Sequence, residues 1–359
     1  MKYLGIDLGG INVAAAVVDE GGTILSRGRV STPRTGAEAV ADAMAAAARA
    51  AVEGAGLAME EIASVGVGSP GTIDPGAGIV EYWSNLDFHH VPLSGMVEQR
   101  LGRPVYLEND ANAAALGEYA AGAGRGSESM VAITLGTGVG GGAVLGGKLY
   151  TGYNYAGLEV GHFVIEYGGR SCTCGRKGCF EAYASATALI KRTREEMERH
   201  PESALWRLAG SLEKVEGRTA FEAAALGDAT AKALVEEYQS YLACGIASLI
   251  NIFQPEVFCV GGGVAGAGET LLGRVREMVD REDYARHNAR RTRLVAASLG
   301  NDAGIIGAAL LPVSGGGGRG KNGQSKKNNK KEGKAAGPRG EGARRLFAIF
   351  CAMDFKSCA

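Results

Sequence analysis

The sequence contains no long hydrophobic run. None of its apolar segments reaches the ~18 residues that a helix needs to cross a bilayer. Its first residues also lack the basic region and following apolar region that mark a secretory signal peptide. We therefore expect a cytoplasmic protein without a membrane partner. In that compartment the seven cysteines are expected to be thiols or metal ligands, and not disulfides.

Charge is distributed unevenly along the chain. A length of 359 residues favours two domains, and 46% hydrophobic with 21% charged residues is typical of a globular protein. Residues 313–359 carry 11 basic and 3 acidic residues, whereas residues 1–312 carry 27 basic and 36 acidic ones. The glycine and lysine runs of the last segment cannot bury enough apolar surface to offset the entropy cost of ordering. We predict that residues 313–359 form a basic, disordered tail.

The chain begins with a predicted β-hairpin whose turn contains Gly9 and Gly10. Glycine lets backbone N–H groups approach a phosphate, and a carboxylate such as Asp7, at the end of the first strand, could hold the accompanying metal ion. Taken alone this pattern is weak, because many such hairpins bind nothing. The segments that we predict as strands here are 2–8, 13–18 and 23–30.

A second glycine turn has the same design. Gly136-Thr137-Gly138 follows the predicted strand 130–135 and precedes another apolar run. Two such turns predict a duplicated βββαβα unit with a nucleotide between two lobes, and glycine-rich packing without a ligand is the alternative. Gly261-Gly262-Gly263 follows a further predicted strand, 257–260, and suits the close approach of a flat group such as adenine.

Two other predicted strands end in residues suited to a site. Glu108-Asn109-Asp110 lies between the predicted strand 104–107 and the predicted helix 111–121. A strand-to-helix junction is the placement expected of a catalytic carboxylate, although Asp110 could equally be a plain helix N-cap. The predicted strand 62–68 runs into Ser69-Pro70-Gly71, and open α/β sheets bind ligands at the carboxyl ends of their strands.

One histidine, three cysteines and two glutamates lie close together in the middle of the chain. Their spacing matches the tetrahedral N/S set that zinc favours in closed structural sites. Glu159 and Glu181 flank this set and need not be ligands, so they could face a polar substrate. The alternative is a zinc knuckle that only holds a loop together. The candidate zinc ligands are His162, Cys172, Cys174 and Cys179.

The remaining predictions concern helices, one strand and one loop. We place Trp83 and Asn85 in a loop, where an aromatic beside an amide could line a sugar site or simply lie at the surface. Gly245 is expected to interrupt a long helix. The predicted helices are 36–54, 182–200, 228–253 and the closing helix 302–311, and the last predicted strand is 294–297.

Five segments together resemble the ROK family (repressors, open reading frames and kinases), and within it the bacterial ROK-type glucokinases. The resemblance covers about residues 2–312, and the order of the segments argues against an accidental match. The segments are Gly5-Ile6-Asp7-Leu8-Gly9-Gly10, Glu108-Asn109-Asp110-Ala111-Asn112, Leu135-Gly136-Thr137-Gly138, Glu159-Val160-Gly161-His162 and the Cys172–Glu181 cluster.

The resemblance implies an α/β fold of the two-lobed, actin-like ATPase (ribonuclease H-like) type, with a cleft between the lobes. Residues 1–112, completed by the closing helix 302–312, would form the N-terminal lobe. Residues 113–301, with the zinc loop, would form the larger C-terminal lobe. The implied protein is a homodimeric kinase that transfers phosphate from Mg²⁺-ATP to the 6-hydroxyl of glucose, which feeds glycolysis.

The family's functional residues carry over onto matching positions. The catalytic base would be Asp110, which also touches the substrate, and the zinc ligands would be the four residues named above. The other hexose contacts would be Asn109, Glu159, His162 and Glu181. The nucleotide and its Mg²⁺ would be bound by Asp7, Gly9, Gly10, Gly136, Thr137, Gly138, Gly261, Gly262 and Gly263.

One position departs from the family, and several alternatives stay open. Ile11 stands where the family usually has threonine, so a hydroxyl donor to phosphate is missing and we expect weaker nucleotide binding or slower turnover. N-acetylglucosamine, N-acetylmannosamine, fructose and allose remain alternative substrates, and polyphosphate remains an alternative donor. A repressor of this family would need a helix-turn-helix before the strand that starts at residue 2, so we expect no specific nucleic-acid binding.

Overall fold

The computed structural model describes residues 1–314. Within that range it contains strands and helices in alternation, which confirms the α/β class. The strands are β1 (Lys2–Leu8), β2 (Asn12–Asp19), β3 (Ile24–Ser31), β4 (Ile62–Ser69), β5 (Thr72–Asp74), β6 (Ile79–Trp83), β7 (Phe88–Val91), β8 (Val105–Asn109), β9 (Ser129–Leu135), β10 (Val139–Leu145), β11 (Lys148–Tyr150), β12 (Val257–Gly261) and β13 (Arg293–Ala296). The α-helices are α1 (Ala37–Gly54), α2 (Leu93–Leu101), α3 (Asp110–Ala121), α4 (Glu181–Ala184), α5 (Ala186–Arg199), α6 (Ala204–Ala209), α7 (Thr219–Ala225), α8 (Ala229–Phe253), α9 (Glu269–Glu282) and α10 (Ala303–Leu310).

Two five-stranded sheets repeat one topology. The first has the order β3-β2-β1-β4-β8 and the second the order β11-β10-β9-β12-β13. In each sheet the first three strands of the chain are antiparallel neighbours, and the remaining two run parallel to the central strand. The structure therefore has the predicted duplication, with one glycine turn in each copy.

Strand β1 shows why the first sheet is covered on both faces. Leu4, Ile6 and Leu8 point to the side where α1 packs, whereas Tyr3 packs on the opposite side with residues of α10. Alternate side chains of a strand point to opposite faces, so this pattern requires two covering layers. On the α10 side a Cβ at Gly5 would lie 2.0 Å from the carbonyl oxygen of Ile305, so the helix backbone rests directly on the sheet.

Helices α3 and α10 pack against each other at equally short range. A Cβ at Gly307 would lie 1.7 Å from the carbonyl oxygen of Ala113, and one at Gly117 would lie 2.1 Å from that of Ala303. Ala115 of α3 also packs with Met130 and other residues of the second sheet. The two helices thus connect the sheets, and Asp110 begins one of these connecting helices.

Several predicted elements differ from the structure. The helix predicted at 182–200 is two helices, because Ser185 is extended and its hydroxyl accepts a hydrogen bond from the N–H of Ala188, which caps α5. The prediction that Gly245 interrupts a helix is wrong: α8 is continuous from Ala229–Phe253, and this glycine makes room for the ring of Phe180. The loop predicted around Trp83 contains β6 and β7, and β6 pairs with both β5 and β7 in a small third sheet.

The lobe borders and the tail stay predictions. The predicted border between residues 112 and 113 lies inside α3. The tail predicted at 313–359 lies outside the described residues apart from its first two positions. Among the described residues, no helix combines the length and apolar character needed to cross a membrane.

Candidate active site

A cleft of about 820 Å³ collects most of the residues that the sequence singled out. The predicted residues that line it are Asp7, Asn109, Asp110, Gly136, Thr137, Gly138, Glu159, His162, Glu181, Gly262 and Gly263. Within residues 1–314, Gly9, Gly10 and Gly261 do not line this cleft, and their nucleotide role stays a prediction.

The strand pairing of the first sheet determines which residues lie at one end of the cleft. Asp7 of β1 is paired with Gly68 of β4, which is paired in turn with Glu108 of β8. Three parallel strands therefore end side by side, and Asp7 and Asp110 enter the cleft from this edge. Gly71, in the turn after β4, lines it as well, as the strand-end argument predicted.

Asn109 and Asp110 are held by the start of α3. The side-chain oxygen of Asn109 accepts hydrogen bonds from the N–H groups of Ala111 (2.9 Å) and Asn112 (3.3 Å). Asn109 is therefore the N-cap, so a capping role alone does not account for Asp110. The Nδ2 group of Asn109 donates to the carbonyl oxygen of Gly71 at 3.2 Å, which ties two cleft segments together.

Three carboxyl groups at this edge have raised pKa values. Burial raises the pKa of Asp7 to about 6, and the negative charge of Asp110 adds to the effect. Burial also raises the pKa of Asp110 above its ordinary value of 3.8, against the lowering effect of the hydrogen bond from the Ala111 N–H. Glu108 lies behind them, 1% exposed, and burial raises its pKa too. Carboxyl groups perturbed in this way inside a cleft are typical of functional sites.

The second glycine turn closes on itself and anchors the next helix. The N–H of Gly136 donates to the carbonyl oxygen of Gly138 at 3.0 Å, and the carbonyl oxygen of Gly136 accepts from the N–H of Ala186 at the start of α5. A carboxylate oxygen of Glu181 accepts from the N–H of Val139 at 3.0 Å. The turn and Glu181 therefore form one side of the cleft, and the turn is tied to the start of α5.

A second cavity of about 700 Å³ continues from this turn. It shares Gly136, Thr137 and Gly263 with the main cleft, and apolar side chains including Phe221 and Val264 line it. The sequence predicted adenine beside Gly261-Gly262-Gly263, and Gly263 does line this cavity. The apolar walls were missed, because they come from α7 and the 3₁₀ turn after Gly263, which carry no motif. A flat apolar group joined to a phosphate chain fits such a pair of connected spaces.

The four predicted zinc ligands converge. Their donor atoms all lie within 4.8 Å of one another, with 3.7 Å between Nδ1 of His162 and Sγ of Cys172 and 3.6 Å between the Sγ atoms of Cys174 and Cys179. Tetrahedral zinc with Zn–S bonds of about 2.3 Å and Zn–N bonds of about 2.0–2.1 Å places its donors about 3.6–3.8 Å apart. Two of the donor pairs already lie at about these distances, and all four donors lie within 4.8 Å of one another, so the donor set fits a structural zinc ion.

This cluster is coupled to the cleft through two of its neighbours. His162 lines the cleft, and its N–H donates to the carbonyl oxygen of Glu159 at 3.0 Å, so a tight turn fixes both side chains. The other carboxylate oxygen of Glu181 lies 3.7 Å from Sγ of Cys172. A knuckle that only holds a loop would not need this connection.

Two aromatic residues differ from what the sequence indicated. Trp83 is 4% exposed and packs edge-on against Phe88, with ring centroids 5.7 Å apart, so the prediction that it lies in a loop, lining a sugar site or at the surface, is wrong. Tyr155, which the sequence reasoning did not consider, does line the cleft. Ile11 has a side chain 76% exposed at the tip of the first glycine turn.

Comparison with known proteins agrees with this geometry. The ROK family profile matches residues 3–314. A glucokinase of Thermotoga maritima is 43% identical over 87% of this chain and 97% of its own, and an N-acetylmannosamine kinase of Escherichia coli is 36% identical over 87% and 98%. A xylose repressor of Caldicellulosiruptor bescii is 29% identical over 70% of this chain and 63% of its own.

Solved structures give the same picture. The structure of a ROK family glucokinase from Streptomyces griseus in complex with glucose and AMPPNP is 41% identical, with a TM-score of 0.73 over 87% of this chain and 99% of that one. The structure of a ROK hexokinase from Thermus thermophilus is 38% identical, with a TM-score of 0.75 over 88% of this chain and 100% of that one. The chain belongs to the ROK family and has its two-lobed, actin-like ATPase fold.

Proposed function

We propose that this protein is an ATP-dependent glucokinase that phosphorylates the 6-hydroxyl of glucose. The observation that carries the proposal is that a half-buried carboxyl, Asp110, lines the same cleft as a glycine turn and the Glu159–His162 segment. The similarity to the Thermotoga maritima and Streptomyces griseus glucokinases, along nearly their whole length, supports glucose as the substrate.

Asp110 would act as the general base. Phosphoryl transfer depends mainly on positioning and electrostatic stabilisation, and the attacking hydroxyl must lose its proton as the bond to phosphorus forms. A carboxylate of ordinary pKa is a weak base, and a base becomes more effective as its pKa approaches the working pH. The raised pKa of Asp110 therefore suits this role.

The sugar would be held at the other side of the same cleft. Glu159, His162 and Glu181 would accept and donate hydrogen bonds to the hydroxyls far from the reacting one, which fixes the 6-hydroxyl near Asp110. The Nδ2 group of Asn109 has two hydrogens, one of which is used by the carbonyl oxygen of Gly71, so the second is available to the sugar.

The nucleotide would occupy the connected cavities. Its phosphates would lie on the backbone of Gly136–Gly138, and its adenine would enter the apolar cavity beside Phe221 and Val264. Bound Mg²⁺ would neutralise phosphate charge, and Asp7, which enters the cleft beside Asp110, would hold the ion or its water shell.

We further propose that the protein binds one structural zinc ion, works in the cytoplasm and forms a homodimer. The distances among the four donor atoms support the first of these, because four protein ligands leave no position for substrate on the metal. The resemblance to the ROK family of sugar kinases supports the other two. Metal analysis of the pure protein and light scattering after size exclusion test zinc and dimer separately.

A kinase for another hexose is the second candidate. The relative named N-acetylmannosamine kinase, 36% identical over 98% of its own length, favours it. A coupled ADP-release assay over glucose, N-acetylglucosamine, N-acetylmannosamine, fructose and allose decides between them, with polyphosphate as a second donor. We expect the highest kcat/KM for glucose with ATP, and a higher value for any other hexose contradicts the proposal.

The matched control for this assay is Asp110→Asn, which keeps the shape of the side chain and removes the base. We expect it to retain glucose binding by calorimetry while kcat falls by about 10²–10⁴-fold. Near-normal turnover in this variant would exclude Asp110 as the base and leave the substrate assignment intact.

A further inference from the structure

The loop 151–158, which leads from β11 to Glu159, is held in a strained conformation. Tyr155 and Leu158 have φ angles of +62° and +65°, values that residues other than glycine rarely adopt. The N–H of Gly157 donates to the carbonyl oxygen of Thr151 at 2.9 Å and closes the loop. Leu158 is buried in the core of the second sheet. Backbone strain of this kind persists only where surrounding contacts enforce it, and it is concentrated at ligand-binding segments.

The strain places the Tyr155 ring across the cleft. Its hydroxyl oxygen lies 2.9 Å from the position that a Cβ atom would take at Gly76. Gly76 belongs to the turn between β5 and β6, strands whose side chains pack into the core of the first sheet. Tyr155 itself lines the cleft together with Glu159, from the side of the second sheet. One side chain therefore joins the two sides of the opening.

We propose that Tyr155 is a latch residue that closes the sugar end of the cleft and thereby sets the affinity for the hexose. This inference rests on the proposed function, since it assumes that a hexose lies beside Glu159. A rigid aromatic ring loses little conformational entropy when it covers a ligand, and the closed ring reduces the escape of the bound sugar. Its nearest tyrosine neighbour, Tyr153, is fully exposed and makes no such contact.

Gly76 offers a way to open the latch without changing Tyr155. Its φ angle lies outside the left-handed region, so alanine there adds no backbone strain. The added Cβ would meet the Tyr155 hydroxyl at 2.9 Å but the ring carbon Cζ only at 3.7 Å, an ordinary contact distance. Asp74 Oδ1, at 3.2 Å, is the other close atom. Gly76→Ala should therefore displace the ring when the hydroxyl is present, and only slightly when it is absent.

The test is a double-mutant cycle on the glucose KM of the full-length enzyme. We expect Tyr155→Ala to raise this KM by about tenfold with a much smaller change in kcat, because the lost contact holds ground state and transition state alike. Gly76→Ala should raise the glucose KM severalfold in the wild-type background and by less than about twofold in the Tyr155→Phe background. Tyr153→Ala, in the same loop, should leave both constants unchanged.

Two results overturn the latch while leaving the glucokinase assignment intact. One is an active Tyr155→Ala enzyme with a wild-type glucose KM. The other is a Gly76→Ala effect of equal size in both backgrounds, which would assign the loss to Asp74 and not to the ring. If wild-type protein phosphorylates no hexose, the proposed function fails and the latch fails with it. Melting temperatures of all variants identify any that are merely unfolded.

Discussion

Replacing Asp7 with asparagine should stabilise the ligand-free protein more at high pH than at low pH. Burial, reinforced by the charge of Asp110, raises the pKa of Asp7 from 3.8 to about 6. In the folded state the ionised carboxylate is therefore disfavoured relative to the unfolded chain. At 1.36 kcal/mol per pKa unit, this corresponds to about 3 kcal/mol of unfolding free energy that is lost once Asp7 is ionised.

The sign follows from proton binding. Between pH 3.8 and about 6 the folded state holds a proton on Asp7 that the unfolded state has released, so this site contributes less stability as pH rises. Above about pH 6 the loss of unfolding free energy reaches its full value, and below pH 3.8 it vanishes because Asp7 is protonated in both states. Asp7→Asn removes the ionisation and keeps the shape. Its advantage over wild type should be about 3 kcal/mol at pH 8 and about 1 kcal/mol at pH 4.5.

Urea unfolding at both pH values measures this, with each variant compared with wild type at the same pH. The two tryptophans report on both halves, since Trp83 lies in the core of the first sheet and Trp206 in α6. Asp19→Asn is the control of opposite sign, because the backbone N–H of Thr23 lowers the pKa of Asp19 and the amide should destabilise at pH 8. An Asp7→Asn gain that is equal at the two pH values refutes the reasoning.

Three further changes have defined outcomes. Ile11→Thr should lower the KM for ATP by up to about tenfold, because an exposed side chain gains a hydroxyl donor to phosphate. Ile11→Val, the control, should leave the KM unchanged. An Ile11→Thr enzyme with no gain in ATP affinity or rate contradicts this prediction. Gly245→Ala should destabilise the protein by about 1–3 kcal/mol, since its Cβ would lie 2.2 Å from the Phe180 ring. Gly95→Ala is the control and should stabilise, because Gly95 lies in α2 with no atom near its Cβ position. If thermal unfolding ranks the two variants otherwise, the Phe180 ring can move. Removing zinc by chelation, or with Cys174→Ser, should raise the glucose KM more than it lowers kcat, and metal analysis that finds no zinc in active enzyme rejects this role.

Strand-like apolar segments and glycine turns predicted much of this architecture because they are local signals. The segment 2–8 and the turn at Gly136–Gly138 are each visible in a few consecutive residues. The same local reasoning failed at Gly245, where a distant ring decides that glycine is required, and at Ser185, where one capping hydrogen bond divides a helical stretch. No residue near Gly245 in the sequence indicates that ring, whereas the Ser185 cap is a local signal that the helix prediction did not use.

In the candidate site, too, local motifs were predicted correctly and residues placed by tertiary contacts were missed. Asp110, Glu159 and His162 lie in recognisable motifs and enter one cleft as predicted. Tyr155 and the apolar cavity beside Phe221 were missed, because their places depend on a strained loop and on helices that the motifs do not include. The prediction for Trp83, a loop position that lines a sugar site or lies at the surface, is wrong because the residue ends β6 of the small third sheet and is buried there.

The packing of α10 has a consequence for synthesis of the chain. The first sheet is made from residues 2–109, yet one of its faces is covered by the backbone of a helix that is translated about 200 residues later. A nascent chain therefore leaves the ribosome with the apolar side of β1 and β2 that carries Tyr3, Ala16 and Val18 uncovered until residues 303–310 emerge. Transiently exposed apolar surface of this kind favours aggregation. The first half of the molecule can complete its fold only after the second half has been made, so ribosome-bound fragments that end before residue 303 should depend on chaperones.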